Sequence, residues 1–497
     1  MVEIPLSAPL GRLAYPGASM AREDRRLEPA LAPARGPVSV EQGEILRGGP
    51  GAGVPDRDGA HRSLSRPQAV GVAIAGLLAA LGVALAPMES MVATHHLFFF
   101  IFLLGGLTRL AAAMTPLPRH HSPALAEADL PSYTLITPLY REAEVLPELV
   151  ASLAAIDYPR DRLQALIVLE ADDEVTRAAA RALDLPSFIQ VLVVPPGTPR
   201  TKPRACNYAL ERARGDLVVI YDAEDMPDPG QLREAAARFA ASDARLACLQ
   251  APLRIEDPGF SLFLPSQFRL EYAAHFEVLL PALARWGLPF PLGGTSNHFK
   301  IAPLREIGAW DPYNVTEDAD VGFRLAAAGY RLDVIHRPTW ETAPTTRAQW
   351  FPQRARWIKG HMQTLAVHAR GPVPRQPRNA IALILTLAQS VASSHLHGPV
   401  MGVAIALALV DFLPDAAFQI PPHDLVLYFA GWGAAALAGA RGVMRAGGRP
   451  KALHLLGMPA YWLCQSVAAV KALHQFVTAP HHWDKTLHTP RSGRPRA

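Results

Sequence analysis

Three carboxylate clusters lie along the middle of this chain: Glu170, Asp172 and Asp173 in EADD, Asp222, Glu224 and Asp225 in DAED, and Glu317, Asp318 and Asp320 in TEDAD. The second follows directly on the apolar run DLVVIY. Carboxylates at a strand terminus can hold a hard divalent cation with substrate phosphates, since Mg2+ usually takes one or two carboxylates plus phosphate oxygens. An ordinary acidic turn before Pro227 and Pro229 fits the same string. In EADD a carboxylate could accept hydrogen bonds from a nucleobase N–H or ribose hydroxyls, and a solvated loop is the plainer alternative. In TEDAD, Asp318 is a candidate general base for an attacking hydroxyl. Thr316 as a helix cap and dipole compensation account for Glu317 and Asp320.

The cations fall near these clusters. TKPRACNYAL sets Lys202 and Arg204 at the start of a helix, where a diphosphate can be met; a basic surface turn reads equally well. WFPQRARWIKGHMQT puts Arg354, Arg356 and Lys359 beside Trp350 and Trp357, just ahead of apolar sequence. Positive flanking of a membrane segment explains such a run, and so does a site that grips phosphate through paired guanidinium donors and stacks a sugar on an indole. Gly293 and Gly294 in LPFPLGGTSNHFK suit an acceptor-side loop or a structural turn. Trp286 and Trp310 read as core or interfacial. The sequence has no G-x-x-x-x-G-K-[ST], G-x-S-x-G or H-E-x-x-H string. The pairs His95–His96, His120–His121 and His481–His482 read as interfacial polar residues, with metal binding the lesser alternative.

The elements that must position these groups follow from the texture of residues 118–378. The short apolar runs YTLITPLY, QALIVLEADD, IQVLVVP and DLVVIYDAED alternate with helical stretches such as EVLPELVASLAAI. That alternation predicts a parallel, doubly wound sheet, whose ligands lie at the carboxyl ends of its strands. The acidic clusters sit at those ends.

Half of the 497 residues are hydrophobic and 19% are charged, a balance shifted toward membrane proteins. A net charge of +4 gives no argument for nucleic-acid binding. Cys206, Cys248 and Cys464 match no zinc or redox spacing and fit a reduced, cytosol-facing region. Residues 1–65, with seven arginines from Arg12 to Arg57, are expected to be disordered and cytoplasmic. Residues 66–117 are expected to form a transmembrane hairpin, with spans at Ala69–Ala86 and Leu97–Met114 and an outside link carrying Glu89. Residues 379–480 hold further apolar segments, at least one of them interfacial or re-entrant because the loop charges do not fit single crossings throughout. Residues 481–497 are a basic tail.

The order of these motifs is more specific than any one of them. An acidic strand end, Lys202, the DAED cluster, Thr316-Glu317-Asp318 and then Gln353-Arg-Ala-Arg356-Trp357 resemble a membrane-embedded family 2 glycosyltransferase of the cellulose synthase and hyaluronan synthase kind. The resemblance covers about residues 130–365 plus the flanking helices. It implies an α/β GT-A (Rossmann-like) catalytic domain on the cytoplasmic face of a bacterial inner membrane, flanked by transmembrane helices. Carried over, Glu170 and Asp172 contact the uridine of the donor with Lys202 near it. Asp222 and Glu224 hold Mg2+ or Mn2+ on the diphosphate, and Asp318 is the base. Gln353, Arg356 and Trp357 organise the donor diphosphate and the acceptor sugar. The usual D-x-D reads Asp222-Ala223-Glu224 here with Asp225 adjacent, so either Glu224 or Asp225 is the second metal carboxylate. EADD stands where D-D-G-S is common.

The function so implied is inverting, processive transfer from a UDP-sugar, UDP-glucose the first candidate, to a β-linked glycan exported through the membrane. Its partners are the donor, a growing glycan or lipid acceptor, membrane lipids and export proteins, with no nucleic acid. Single transfer to a lipid, or an inactive component of an export complex, are the alternatives. Motif spacing does not report the sugar, the linkage or the oligomeric state.

Overall fold

The computed structural model describes residues 59–118, 122–257, 263–370, 376–411 and 421–483. The chain divides into Met1–Gly48 and Gly49–Ala497, and all described residues belong to the second unit. Most of the N-terminal 1–65 segment, His120–His121 and most of the basic tail therefore lie outside the described residues.

Two apolar helices come first, α1 (Arg66–Leu85) and α2 (Pro87–Met114). Ser65 and Gln68 close a reciprocal capping box at the start of α1. Ala86 alone separates the helices, so the expected outside link is much shorter than the spacing of apolar residues implied. Glu89 stands in the first turn of α2, where a carboxylate complements the helix dipole.

The catalytic unit contains α3 (Leu146–Ala154), α4 (Glu174–Ala182), α5 (Lys202–Leu210), α6 (Gln231–Ala240), α7 (Phe263–Ala274), α8 (Leu280–Arg285), α9 (Ile301–Glu306), α10 (Glu317–Ala327) and α11 (Arg347–His368). Its strands are β1 (Tyr133–Leu139), β2 (Leu163–Glu170), β3 (Ile189–Val194), β4 (Leu217–Ile220), β5 (Met226–Pro227), β6 (Leu246–Gln250), β7 (Leu253–Ile255), β8 (Asn297–Lys300), β9 (Arg331–Val334) and β10 (Thr339–Glu341). The main sheet runs β3–β2–β1–β4–β8–β6–β9, and β5–β10–β7 form a smaller one. Strands β1 to β4 are parallel, with Tyr133 opposite both Leu163 and Leu217. Every residue of β4 and β6 is buried, as expected for strands covered on both faces.

The sheet departs from the uniform parallel arrangement expected. Strand β8 is antiparallel to β4 and to β6. It follows the Gly293–Gly294 turn at the site end of the sheet and runs back against its two neighbours. The four residues NHFK carry no periodicity that would announce this direction.

The tail forms α12 (Pro377–Leu383), α13 (Gln389–Asp411), α14 (Pro422–Arg445), α15 (Ala452–Leu456) and α16 (Met458–Thr478). Among the described residues, three helical stretches are long and apolar enough to cross a bilayer: Arg66–Leu85, Pro87–Met114 and Pro377–Ala406. Helix α14 runs parallel to α2 over the same depth. His95 Nε2 meets Asp424 Oδ2 at 2.8 Å near one end, and Arg445 Nη2 donates to Thr115 O at 2.7 Å at the other. Helix α16 lies instead along α11, where Trp350 Nε1 donates to Tyr461 Oη at 3.1 Å.

Glycines set how close α14 comes to α7. A Cβ at Gly442 of α14 would come within 2.9 Å of Ala274 N, and one at Gly439 within 2.8 Å of Leu270 Cγ. Small residues at these points let the α14 backbone rest directly on α7.

Candidate active site

The chain leaves β4 at Ile220 and enters the DAED turn. Asp225 is folded back under it, 2% exposed, accepting the Asp222 N–H at 2.7 Å and the Thr295 hydroxyl. Its carboxylate reaches three residues back along the chain and so closes the turn. Asp222 and Glu224 instead face a cavity. Lys202, first residue of α5, spans from below, donating to the Asp222 carboxylate and, at 2.6 Å, to Gly294 O.

The TEDAD cluster enters from the other side. Thr316 occupies the N-cap position of α10 but makes no side-chain cap. Asp318 is half-buried on the cavity wall, and among the described residues its carboxylate accepts only the Ala319 N–H, at 2.8 Å. Burial raises the Asp318 pKa to about 6 against the pull of the Ala319 N–H, Lys202 and Arg356. A Cβ on Gly294 would lie 3.4 Å from Asp318 Oδ2 and 3.9 Å from Asp222 Oδ2, so the two carboxylates flank one glycine. Asp320 points away, bound to Arg324 Nε at 2.7 Å and His368 Nε2 at 3.0 Å.

Helix α11 sorts its basic and aromatic residues by face. Trp350 and Lys359 are fully buried. Arg354 is buried too, bidentate on Glu271 of α7 at 2.8 and 2.5 Å and 4.7 Å from the Trp357 ring centroid. Gln353, Arg356 and Trp357 line the cavity, spaced as one helical face requires. Arg356 has a buried Nε without a hydrogen-bond partner and lies 4.4 Å over the Trp483 ring. Burial pushes its pKa down, opposed by Glu317, Asp222 and Asp318. A guanidinium facing carboxylates it does not bond leaves donors for an anionic ligand. Gly360 brings this helix onto α10, for a Cβ there would come within 2.8 Å of Thr316 Cβ.

The EADD residues lie at the end of β2. Glu170 is buried and paired to Arg204 Nη2 at 2.7 Å, and Asp172 is exposed and paired to Arg200 Nη1 at 2.5 Å. Both acids thus arrive with cationic partners, and Glu170 and Arg200 line the cavity beside Lys202.

The donor set fits a hard cation. Asp222, Glu224, Asp225 and Glu341 lie close enough to act on one another, and Lys202 pairs with Asp222. Burial, then mutual repulsion, pushes Asp225 and Glu341 well above the usual carboxylate range. Excess carboxylate oxygen of this kind suits Mg2+ or Mn2+ rather than a soft metal. Asp222 and Glu224 are the pair on the cavity side.

Several residues at the site escaped the motif reading. Glu317, first read as dipole compensation, is 5% exposed and its charge couples to Asp318 and Lys202. Glu341 reaches the cavity from β10, and its only sequence signal is one acid in TWETAP. His481–Trp483, assigned to the tail, return to the site: Lys359 Nζ donates to His482 O at 2.7 Å and Trp483 covers Arg356. Trp310 is core, 3% exposed, as expected.

Glu170, Lys202, Asp222, Glu224, Asp318, Glu341, Gln353, Arg356, Trp357 and Trp483 share one cavity of about 1590 Å³, which continues between α2, α13 and α14. A mixed sheet whose strand ends carry acidic clusters over a phosphate-sized basic face is the GT-A arrangement. Residues 131–360 match the model described as glycosyltransferase-like family 2, and the chain carries a domain of that family. A mannosyltransferase from Pyrobaculum calidifontis, solved with GDP-Man and Mn2+, shares the fold with a TM-score of 0.54, 22% identity, and coverage of 78% of this chain and 97% of that one. The beta-monoglucosyldiacylglycerol synthase of Synechocystis sp. is 25% identical over 52% of this chain and 55% of its own length. The cellulose synthase 1 catalytic subunit [UDP-forming] of Komagataeibacter xylinus is 26% identical over 51% of this chain and 34% of its own. The chain spans about half the length, or less, of such curated relatives.

Proposed function

We propose that the domain is an inverting hexosyltransferase that moves a sugar from a UDP-sugar to an acceptor hydroxyl presented from the membrane side of the cavity. The observation that carries this is that the Asp318 and Asp222 carboxylates both come within 3.9 Å of one point beside Gly294, with Arg356 and Trp357 lining the same cavity. Asp318 takes the proton of the acceptor hydroxyl as its oxygen attacks the anomeric carbon. The bond from that carbon to the diphosphate breaks on the opposite face, and an α-linked donor gives a β-linked product.

Lys202 and Arg356 hold the leaving diphosphate, and the unpartnered Arg356 Nε is an obvious contact for it. Trp357 offers a flat face to the acceptor ring, steadied by Arg354 beneath it, and Gln353 supplies an amide beside it. Glu170 and Asp172, with Arg204 and Arg200, frame the nucleoside end. Mg2+ or Mn2+ bound at Asp222 and Glu224 would neutralise charge on the departing diphosphate. Release of UDP by purified protein in lipid, across a panel of UDP-sugars, tests this. Donor-specific release that is lost in Asp318→Asn supports it; no release with any donor favours an inactive export component.

We also propose a topology. Because α14 runs parallel to α2 over one depth, it crosses if α2 crosses, and in the same direction. Four crossings, α1, α2, α12–α13 and α14, then place the N-terminus, the catalytic unit and the C-terminus in the cytoplasm of a bacterial inner membrane. Helix α16 is the interfacial segment. Processive synthesis of an exported β-glycan is the polymer form of this function, supported by the continuity of the cavity into the membrane helices. Single transfer to a lipid is the second form, supported by the apolar lining at that level.

A further inference from the structure

Within the membrane part of the cavity, two donors converge without an anion to meet. Arg109 of α2 is half-buried there, and its only hydrogen bond among the described residues runs to Gly105 O of its own helix, at 3.2 Å. Gln389, at the start of α13, is 8% exposed and its Nε2 has no partner. Both aim at one point. A Cβ added at Gly105 would overlap Gln389 Nε2 and come within 3.0 Å of Arg109 Nη1, so the bare glycine lets the two donors sit side by side, and both stand on the cavity wall as a shared cradle of N–H groups.

The neighbouring charges do not fill it. Glu271, the nearest carboxylate to act on Arg109, is already bidentate on Arg354 and also accepts from Tyr461 Oη at 2.8 Å. Thr108, Ser394 and His397 spend their polar atoms on carbonyls of their own helices. A buried amide donor without a partner is costly to leave unmade, and an ionisable residue inside a membrane bundle marks a ligand path by default. Around the cradle the wall is apolar: Phe98, Phe99 and Phe102 of α2, Met401 and Val403 of α13, and Phe429 of α14.

We propose that Arg109 and Gln389 seat the phosphate of a membrane phospholipid, and that this lipid is the sugar acceptor. The second half rests on the transferase function proposed above. Guanidinium and amide donors a few ångströms apart match the non-ester oxygens of a phosphodiester, and the aromatic and aliphatic wall takes the acyl chains. The same cavity reaches Asp318, so a headgroup hydroxyl approaches the base from the side opposite the donor diphosphate. A free phosphate meets the same two donors but leaves the apolar wall unfilled, and a glycan matches the donors less well than an anion does.

The test uses the full-length protein in detergent, with bound lipid counted by native mass spectrometry. Phosphatidylglycerol, diacylglycerol with the same chains, and inorganic phosphate are the probes, with Arg109→Gln and Gly105→Ala beside the wild type. Phosphatidylglycerol is expected to bind at least about tenfold more tightly than diacylglycerol, and inorganic phosphate should not displace it. Both variants should lose that preference while still binding diacylglycerol, which marks them as folded. Equal binding of the two lipids, a preference that survives both substitutions, or displacement by inorganic phosphate overturns the seat. With labelled UDP-sugar, label in the organic phase supports the lipid as acceptor, and label only in water-soluble polymer overturns that role. Selective lipid binding with no donor consumed would instead leave the seat standing and remove the transferase function.

Discussion

Asp222 and Asp318 both come within 3.9 Å of one point beside Gly294, yet their surroundings differ in kind. Asp222 is clamped by the Lys202 ammonium and backed by three further acids, Glu224, Asp225 and Glu341. Asp318 accepts one backbone N–H and is otherwise open to the cavity. A carboxylate locked to an ammonium, in an excess of negative charge, is fitted to hold cations and a diphosphate. A carboxylate with free lone pairs and a raised pKa is fitted to move a proton. The difference teaches that proximity to the reaction centre does not assign a role, whereas the partners of each oxygen do.

The sharpest way to break this comparison is Asp318→Asn. Turnover measured as UDP release should fall by about 10²–10⁴-fold, while UDP binding measured by calorimetry stays near wild type. Loss of binding instead would return Asp318 to the donor side. Acid pH should follow in size. Asp318 protonates as pH falls through about 6, so kcat/KM should decline on the acid side of that value and recover above it. Between pH 7 and pH 5 the drop should be about tenfold, and a flat profile over that range would show that some other group takes the proton.

Arg356→Lys keeps the charge but removes the paired donors and the stack on Trp483. The donor KM should rise by about tenfold with a smaller change in kcat, and an unchanged KM would place the diphosphate elsewhere. The smallest effect separates the two candidate metal carboxylates. Glu224→Gln should raise the Mn2+ concentration needed for half-maximal activity, whereas Asp225→Asn should leave it alone and lower the thermal midpoint. The reverse pattern would exchange their roles.

Much of this was legible in the sequence, and the rest needed partners from distant segments. The DAED and TEDAD clusters announce themselves because a carboxylate at a strand end or helix start is a local feature. Helix α11 was half legible. Its composition shows a basic, aromatic face, but only Glu271, 83 residues away from Arg354, makes Arg354 structural and leaves Arg356 to the ligand. Asp225 looked equal to Glu224 until Thr295 claimed it from 70 residues downstream. Strand β8 went unread because the four residues NHFK carry no periodicity and LPFPLGGTSNHFK read as a loop or turn. Trp483 was hidden by a tail composition that suggested solvent.

The contact of Gly439 and Gly442 with α7 has a mechanical consequence. At Gly442 backbone rests on the Ala273–Ala274 backbone and at Gly439 on the Leu270 side chain, so little cushion separates α14 from α7. The height of Asp318 relative to the bilayer is therefore a fixed dimension of the molecule, like the gap of a caliper. Substrates of different length must adjust themselves to that gap, and a methyl group added at Gly442 would change the setting without touching a single group that takes part in the chemistry.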